Sequence, residues 1–225
     1  PSVHMYTGIR EPMERNEYGM VKPHKVNGVD VFSMGFAMDE GQLSYMRKPM
    51  IDKIVDEGLY NVEWQGNTKY FLVDTPAGTG AEFKATCDKM HFDGAIIITT
   101  PDPLAIEDTK RGLAFVDKLG IEKLGVVENM AAPMPQPSAK LDLNPIMEPN
   151  FFGEGSAAAD DYYHEELKKV AGAYDTELLG SVPFDPQFRL APGRERPFVL
   201  EHPDSPAAKA IKNIGIGFRK RLNLR

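Results

Sequence analysis

Short apolar runs alternate with longer stretches whose apolar residues recur every three or four positions. Residues 29–36 (VDVFSMGF) are rich in β-branched and aromatic side chains and predict a strand. In residues 42–57, Leu43, Met46, Met50, Ile51 and Ile54 fall at three-and-four spacing, which predicts a helix, with Gly58 as its stop. Residues 69–73 (KYFLV) predict a buried strand ending at Asp74, followed by a helix over 81–90. The alternation continues with a strand at 94–99 (GAIIIT) and a helix at 103–119 that Gly120 stops. A strand at 123–127 (KLGVV) runs up to Glu128-Asn129. A helix at 156–172, a short strand at 177–180 and a closing helix at 205–221 complete the set. Residues 1–28 and 183–204 have no period and read as loop and turns, and residues 131–153 form a proline-rich loop.

Strands that are apolar on both faces and alternate with helices predict a parallel sheet covered on both sides. In such α/β sheets ligands sit beyond the carboxyl ends of the strands. Asp74, Thr99-Thr100 and Glu128-Asn129 are placed there. There are no internal repeats, and no boundary is visible inside residues 1–225, which read as one domain.

Composition narrows the chemistry. The chain has 225 residues, with 26 Lys and Arg against 33 Asp and Glu, for a formal net charge of −7. That balance argues against general binding to nucleic acid or to an anionic membrane. The longest apolar runs are strand-sized, short of the ~20 residues a spanning helix needs. Pro1-Ser2-Val3-His4 resembles neither a signal peptide nor an Arg-rich transit sequence. A single cysteine, Cys87, excludes an intramolecular disulfide and any multi-cysteine metal site built from this chain alone. Cysteine scarcity fits a reducing compartment. The five histidines are scattered, so no metal set is proposed. The run Asp160-Asp161-Tyr162-Tyr163-His164-Glu165-Glu166 reads as a solvated helix face, and Cys87 as a half-buried structural thiol.

Two segments carry candidate chemistry. In Phe71-Leu72-Val73-Asp74-Thr75-Pro76-Ala77-Gly78-Thr79-Gly80, an acid at a strand end precedes a glycine-rich turn. Asp74 is placed to hold the water shell of a nucleotide-bound Mg²⁺. Gly78 and Gly80 would let backbone N–H groups approach a γ-phosphate. The same pattern fits a plain turn with Asp74 capping the next helix, and the residues alone leave both readings open. In Gly125-Val126-Val127-Glu128-Asn129-Met130, the amide of an Asn just past a buried strand offers one donor and one acceptor edge to a base. An Asn that caps a turn is the alternative there. Ser181-Val182-Pro183-Phe184-Asp185-Pro186 alone reads only as a loop after a short strand.

In this order the segments resemble the Mrp/ApbC group of P-loop ATPases, iron–sulfur cluster carriers related to MinD and ParA. The resemblance runs through nearly the whole chain. It is carried by Pro1-Ser2-Val3, Ser33-Met34-Gly35-Phe36 and Met46-Arg47-Lys48-Pro49-Met50. It continues in residues 74–82, which resemble a Walker B and switch segment (D-x-P-P-G-T-G-D-E), then in Thr99-Thr100-Pro101, 125–130, Phe152-Gly153, 179–183 and 203–208. The resemblance implies a three-layer P-loop NTPase fold with a mainly parallel sheet. It implies ATP and Mg²⁺ as cofactors, with Asp74 as the Mg²⁺-side catalytic acid and Gly78, Thr79 and Gly80 lining the γ-phosphate. Asn129 would read adenine, with Pro183 and Asp185 near the base. It further implies an ATP hydrolase acting as an assembly factor in iron–sulfur protein maturation, as a homodimer or part of a larger assembly, in the cytoplasm or an organellar matrix.

Three departures shape the expectation. The family's Walker A loop and its strand would lie before the position of Pro1, so the natural protein is expected to have more sequence there, or that region is not represented. The family's C-x-x-C pair would fall between Asn129 and Phe152, where this chain has neither cysteine nor histidine, so a dimer-bridging iron–sulfur cluster is not expected. Ala77 and Ala81 stand where the family commonly has Pro and Asp, which would weaken hydrolysis while leaving binding possible. The competing expectation is a non-catalytic scaffold or structural subunit derived from the same fold.

Overall fold

The computed structural model describes residues 3–36, 48–75, 81–131, 156–190 and 196–222. They cluster into two compact units, Pro1–His91 with Gln187–Glu201, and Phe92–Pro186 with His202–Arg225.

The first unit opens with a 3-10 turn, Val3–Tyr6, and an antiparallel hairpin of β1 (His24–Val26) and β2 (Val29–Val31). Asn27 and Gly28, at φ 50° and 83°, make its two-residue turn, the left-handed pair that suits strand twist. The strand expected over 29–36 is therefore shorter and gives way to a 3-10 turn at Met34–Phe36. Helix α1 (Lys48–Tyr60) runs through Gly58 instead of stopping there. A Cβ at Gly58 would lie 3.1 Å from Phe32 Cε1, so this glycine permits a close ring approach. Helix α2 (Ala81–Cys87) packs against α1. Lys89 clamps the pair, donating to Asp56 Oδ1 at 2.7 Å and to the Asp52 carbonyl at 2.9 Å. A single helical turn, Phe198–Glu201, completes the unit, with Phe198 stacked on Phe188.

Residues 69–73 are not a strand. Phe71 and Leu72 are exposed, Leu72 at 83%, and no described strand pairs with them. A β conformation is stabilised by a ladder partner, which an apolar run cannot supply by itself. Phe71 instead sets its edge against the Trp64 ring, centroids 5.0 Å apart.

The second unit is the α/β layer structure the alternation predicts. β3 (Ala95–Thr99), β4 (Lys123–Ala131) and β5 (Leu178–Pro183) form a parallel sheet in that order, connected through α3 (Pro103–Lys118) and α4 (Ser156–Ala173). The apolar stripes of α3 and α4 close one face. Ile106, Leu113, Leu167, Val170 and Ala171 pack with Val126 in the main buried cluster. Leu113, Val126, Leu167 and Ala171 are fully buried. Helix α5 (Pro206–Arg221) lies along β5 and β4 and buries Ala207, Ala208 and Ile214. Both α3 and α5 carry proline in the first turn and a capping side chain just before it. Asp102 accepts from the N–H groups of Leu104 and Ala105, and Ser205 from that of Ala208.

Two boundaries differ from expectation where they matter most. β4 extends to Ala131 and β5 to Pro183, so Glu128, Asn129, Ser181, Val182 and Pro183 lie within strands. The ladder carries them that far, because Glu128 pairs with Ser181, Asn129 with Val182 and Ala131 with Pro183.

Candidate functional site

The carboxyl ends of β3, β4 and β5 bring Thr99-Thr100, Asn129–Ala131 and Pro183–Asp185 to one end of the parallel sheet. Asn129 is half-buried, and its side chain makes no hydrogen bond with another described residue. Among the described residues nothing occupies its donor and acceptor edges. The next residue, Met130, is exposed and adopts φ 55°, a left-handed backbone uncommon for a non-glycine residue. The ladder shifts register between Asn129 and Ala131, so Met130 is the extra residue of a bulge. Beyond it the Phe184 N–H donates to the Ala131 carbonyl at 2.9 Å, holding the Pro183–Asp185 turn against the end of β4. Bulges and left-handed residues of this kind re-aim side chains and concentrate at working sites.

Directly before Asn129 lies a polar cluster that the pattern of the sequence did not reveal. Glu128 is only 2% exposed. Its Oε2 accepts from the Ser181 hydroxyl and lies 2.7 Å from His164 Nδ1. Ser181 Oγ and His164 Nδ1 are 3.4 Å apart. His164 does not belong to a solvated face; its ring turns to the sheet, with a third of the side chain exposed. Two signals in the sequence point to this cluster. Glu128 shares strand parity with Leu124 and Val126, so it faces a helix-covered side, where a carboxylate requires partners. His164 precedes Leu167 by three residues and Ala171 by seven, which places it on the core stripe of α4.

Of the predicted site residues, the structure brings Asn129, Pro183 and Asp185 together at one sheet end. Asp74 belongs to the other unit, where it is exposed in irregular backbone and not at the end of a strand. Gly78, Thr79 and Gly80 lie outside the described residues, as do the 132–155 loop and Phe152-Gly153. Cys87, the last residue of α2, has its thiol pushed up from the usual range by burial and then by the Asp88 carboxylate.

The family model described as "NUBPL iron-transfer P-loop NTPase", of the ParA group, matches residues 1–217. The chain belongs to this family. It is 31% identical over 217 residues to an iron–sulfur cluster carrier protein of Aquifex aeolicus, covering 95% of this chain and 54% of that one. It is 31% identical over 190 residues to a cytosolic Fe-S cluster assembly factor, NUBP2, of Bos taurus, covering 83% and 64%. An iron–sulfur cluster transfer protein NUBPL of Dictyostelium discoideum is 29% identical over 211 residues, covering 93% and 59%. The chain thus spans roughly half to two thirds of the length of these relatives. Among solved structures, an ADP-bound nucleotide-binding protein of Archaeoglobus fulgidus superposes with a TM-score of 0.61 at 24% identity, over 87% of this chain and 70% of that one. The cell division ATPase MinD of Pyrococcus furiosus gives 0.50 at 20% identity, over 81% and 62%. These likenesses fix the fold as that of a P-loop NTPase.

This sheet end carries a half-buried amide, with no hydrogen bond to another described residue, beside a proline-containing strand end. The residues expected at the phosphate end, 78–80, are not among those described. No group of three or more His, Cys, Asp or Glu among the described residues is arranged to hold a metal ion.

Proposed function

We propose that this protein binds ATP with Mg²⁺ and works as an assembly factor in the maturation of iron–sulfur proteins. The observation that carries the reading is the half-buried Asn129 amide, unbonded to any other described residue, at the carboxyl end of a parallel sheet in a chain of the iron-transfer P-loop family. Asn129 recognises the adenine edge, and the Pro183–Asp185 turn bounds the base. Asp74 holds the Mg²⁺ water shell, and Gly78, Thr79 and Gly80 line the γ-phosphate. The metal ion would neutralise charge on the phosphates when bound. The chain's own residues orient the base, through an amide whose backbone the bulge at Met130 sets. A homodimer acting in the cytoplasm or an organellar matrix is part of the same proposal. An iron–sulfur cluster is its cargo, and its relatives are named as carriers of one. The chain has one cysteine, so a C-x-x-C pair within residues 1–225 is not what holds that cargo.

A second reading has its own support. The single cysteine, together with Ala81 at the acidic switch position, favours a non-catalytic scaffold that keeps the fold as a binding surface. Titration of the full-length protein with ATP and Mg²⁺ separates the two. Under the first reading, Asn129→Ala weakens ATP about tenfold, the equivalent of one lost base contact, and Asp74→Ala abolishes the benefit of Mg²⁺. An unsubstituted protein without ATP affinity supports the scaffold. Binding that neither substitution alters shows the site assignment to be wrong.

A further inference from the structure

A buried carboxylate is costly unless donors compensate it. Glu128 is 2% exposed, and both of its side-chain partners come from elements distant in sequence, His164 on α4 and Ser181 on β5. The carboxylate therefore ties three elements at one point. That point is the last regular pair of the β4–β5 ladder but one. Glu128 pairs with Ser181 and Asn129 with Val182, and then the register breaks at Met130. Alternation turns Glu128 toward α4 and Asn129 toward the opposite face, so the carboxylate cannot itself touch what Asn129 binds. It can only fix the backbone from which Asn129 projects, just where ladder hydrogen bonding ends and a left-handed residue begins.

We propose that Glu128, braced by His164 and Ser181, is a positioning residue that sets the aim of the Asn129 amide and hence the preference for adenine. The proposal rests on the reading of Asn129 as the base-recognising residue. With the brace intact, the amide meets a purine edge in one orientation, and a base presenting the reversed pattern of donor and acceptor is rejected. Without it, β4 and β5 can shift against each other at the bulge, and the amide samples several orientations. None of the three brace residues is among those assigned to the phosphates, so phosphate affinity is expected to stay unchanged.

The test compares ATP with GTP on the full-length protein and uses Mg²⁺–tripolyphosphate as a probe without a base. Glu128→Ala is expected to cut the ATP-over-GTP affinity ratio about threefold to tenfold, a coupling usual for residues in contact, while tripolyphosphate affinity stays constant. Ser181→Ala, which removes one donor and leaves the carboxylate paired with His164, is the milder variant should Glu128→Ala fail to fold. It lowers the ratio in the same direction. Glu128→Gln keeps the shape and an accepting oxygen and restores the ratio to within about twofold of the unsubstituted protein. Adding Glu128→Ala to Asn129→Ala causes no further loss of preference. If Asn129→Ala removes the preference and neither Glu128→Ala nor Ser181→Ala alters it, the positioning role is overturned while the reading of Asn129 stands. If Asn129→Ala leaves the ratio unchanged, or the unsubstituted protein binds no ATP, both are overturned. Equal losses of ATP, GTP and tripolyphosphate affinity mark Glu128 as a general fold determinant and also overturn the proposal.

Discussion

Replacing Gly125 with alanine tests the packing of the sheet that presents Asn129. Gly125 sits in β4 with φ at +154°, and a Cβ there would lie 2.3 Å from Leu179 Cγ and 2.7 Å from Leu179 Cδ1. The cause is the register shift between Val126 and Val127. Val126 pairs with Leu178 and Val127 with Gly180, which leaves Leu179 as an extra residue whose side chain fills the space beside Gly125. Ordinary carbon contacts are about 3.5–4.0 Å, so Leu179 has to swing away by more than an ångström. Overpacking of this kind costs about 1–3 kcal/mol. Forcing a side chain into this glycine-favouring backbone region adds about 1–3 kcal/mol. The expected loss is therefore about 2–6 kcal/mol, a large part of a domain's total stability.

The two contributions separate in a double-mutant cycle. Leu179→Ala empties the space and removes the packing cost, while the backbone cost of Gly125→Ala remains. The double variant should therefore be more stable than the sum of the single losses predicts, by about 1–3 kcal/mol. The probe must report on the second unit. Trp64, the chain's one tryptophan, lies in the first unit, so its fluorescence reports on that unit. Amide hydrogen exchange in β4 and β5 reads the second unit directly. Gly66→Ala is the control, because nothing lies within 4 Å of its added methyl. A loss below about 1 kcal/mol for Gly125→Ala, or full additivity with Leu179→Ala, would refute the reasoning that the bulge at Leu179 dictates glycine at position 125.

Two further outcomes follow from the titratable groups. The Asp102 carboxyl is held below its ordinary value by the Thr100 hydroxyl and then by the Ala105 N–H, so its stabilisation is complete above the unfolded value near 4 and is lost as acid carries the pH down through the lowered folded value. Asp102→Ala should cost about 1 kcal/mol at pH 7, as for other N-caps, with the difference shrinking by pH 3; urea unfolding at both pH values checks it, and a constant difference would contradict the charged cap. At Cys87, burial and Asp88 raise the thiol, so alkylation at pH 7.5 should be slower than that of a free cysteine and should accelerate in denaturant; equal rates in folded and unfolded protein would refute the burial.

Where pattern sufficed and where it failed divides along a physical line. The second unit was legible because its elements are specified locally. Strands 94–99 and 123–127 are apolar runs between turn residues, and α3 and α5 announce themselves with Asp102-Pro103 and Ser205-Pro206, a cap and a proline each. Residues 69–73 failed because hydrophobicity expresses a preference for burial, whereas a strand also requires a neighbour to complete its ladder. The sequence pattern ends β4 and β5 too early for a related reason. Glu128, Asn129 and Ser181 are polar, and polar residues read as punctuation, yet cross-strand pairing carries the ladder through them. Pairing is a long-range fact, set here by residues 53 apart in the case of Glu128 and Ser181. The same long range hid the brace. Each member taken singly reads as a strand end, a solvated helix face or a turn, and only the fold brings a carboxylate, an imidazole and a hydroxyl to one oxygen. The polar residues misread as boundaries are thus the ones that support the candidate site. A carboxylate retained on the helix-covered face of a strand incurs a cost of burial that an apolar residue would avoid, which is the physical ground for assigning Glu128 a role tied to Asn129 and not to packing alone.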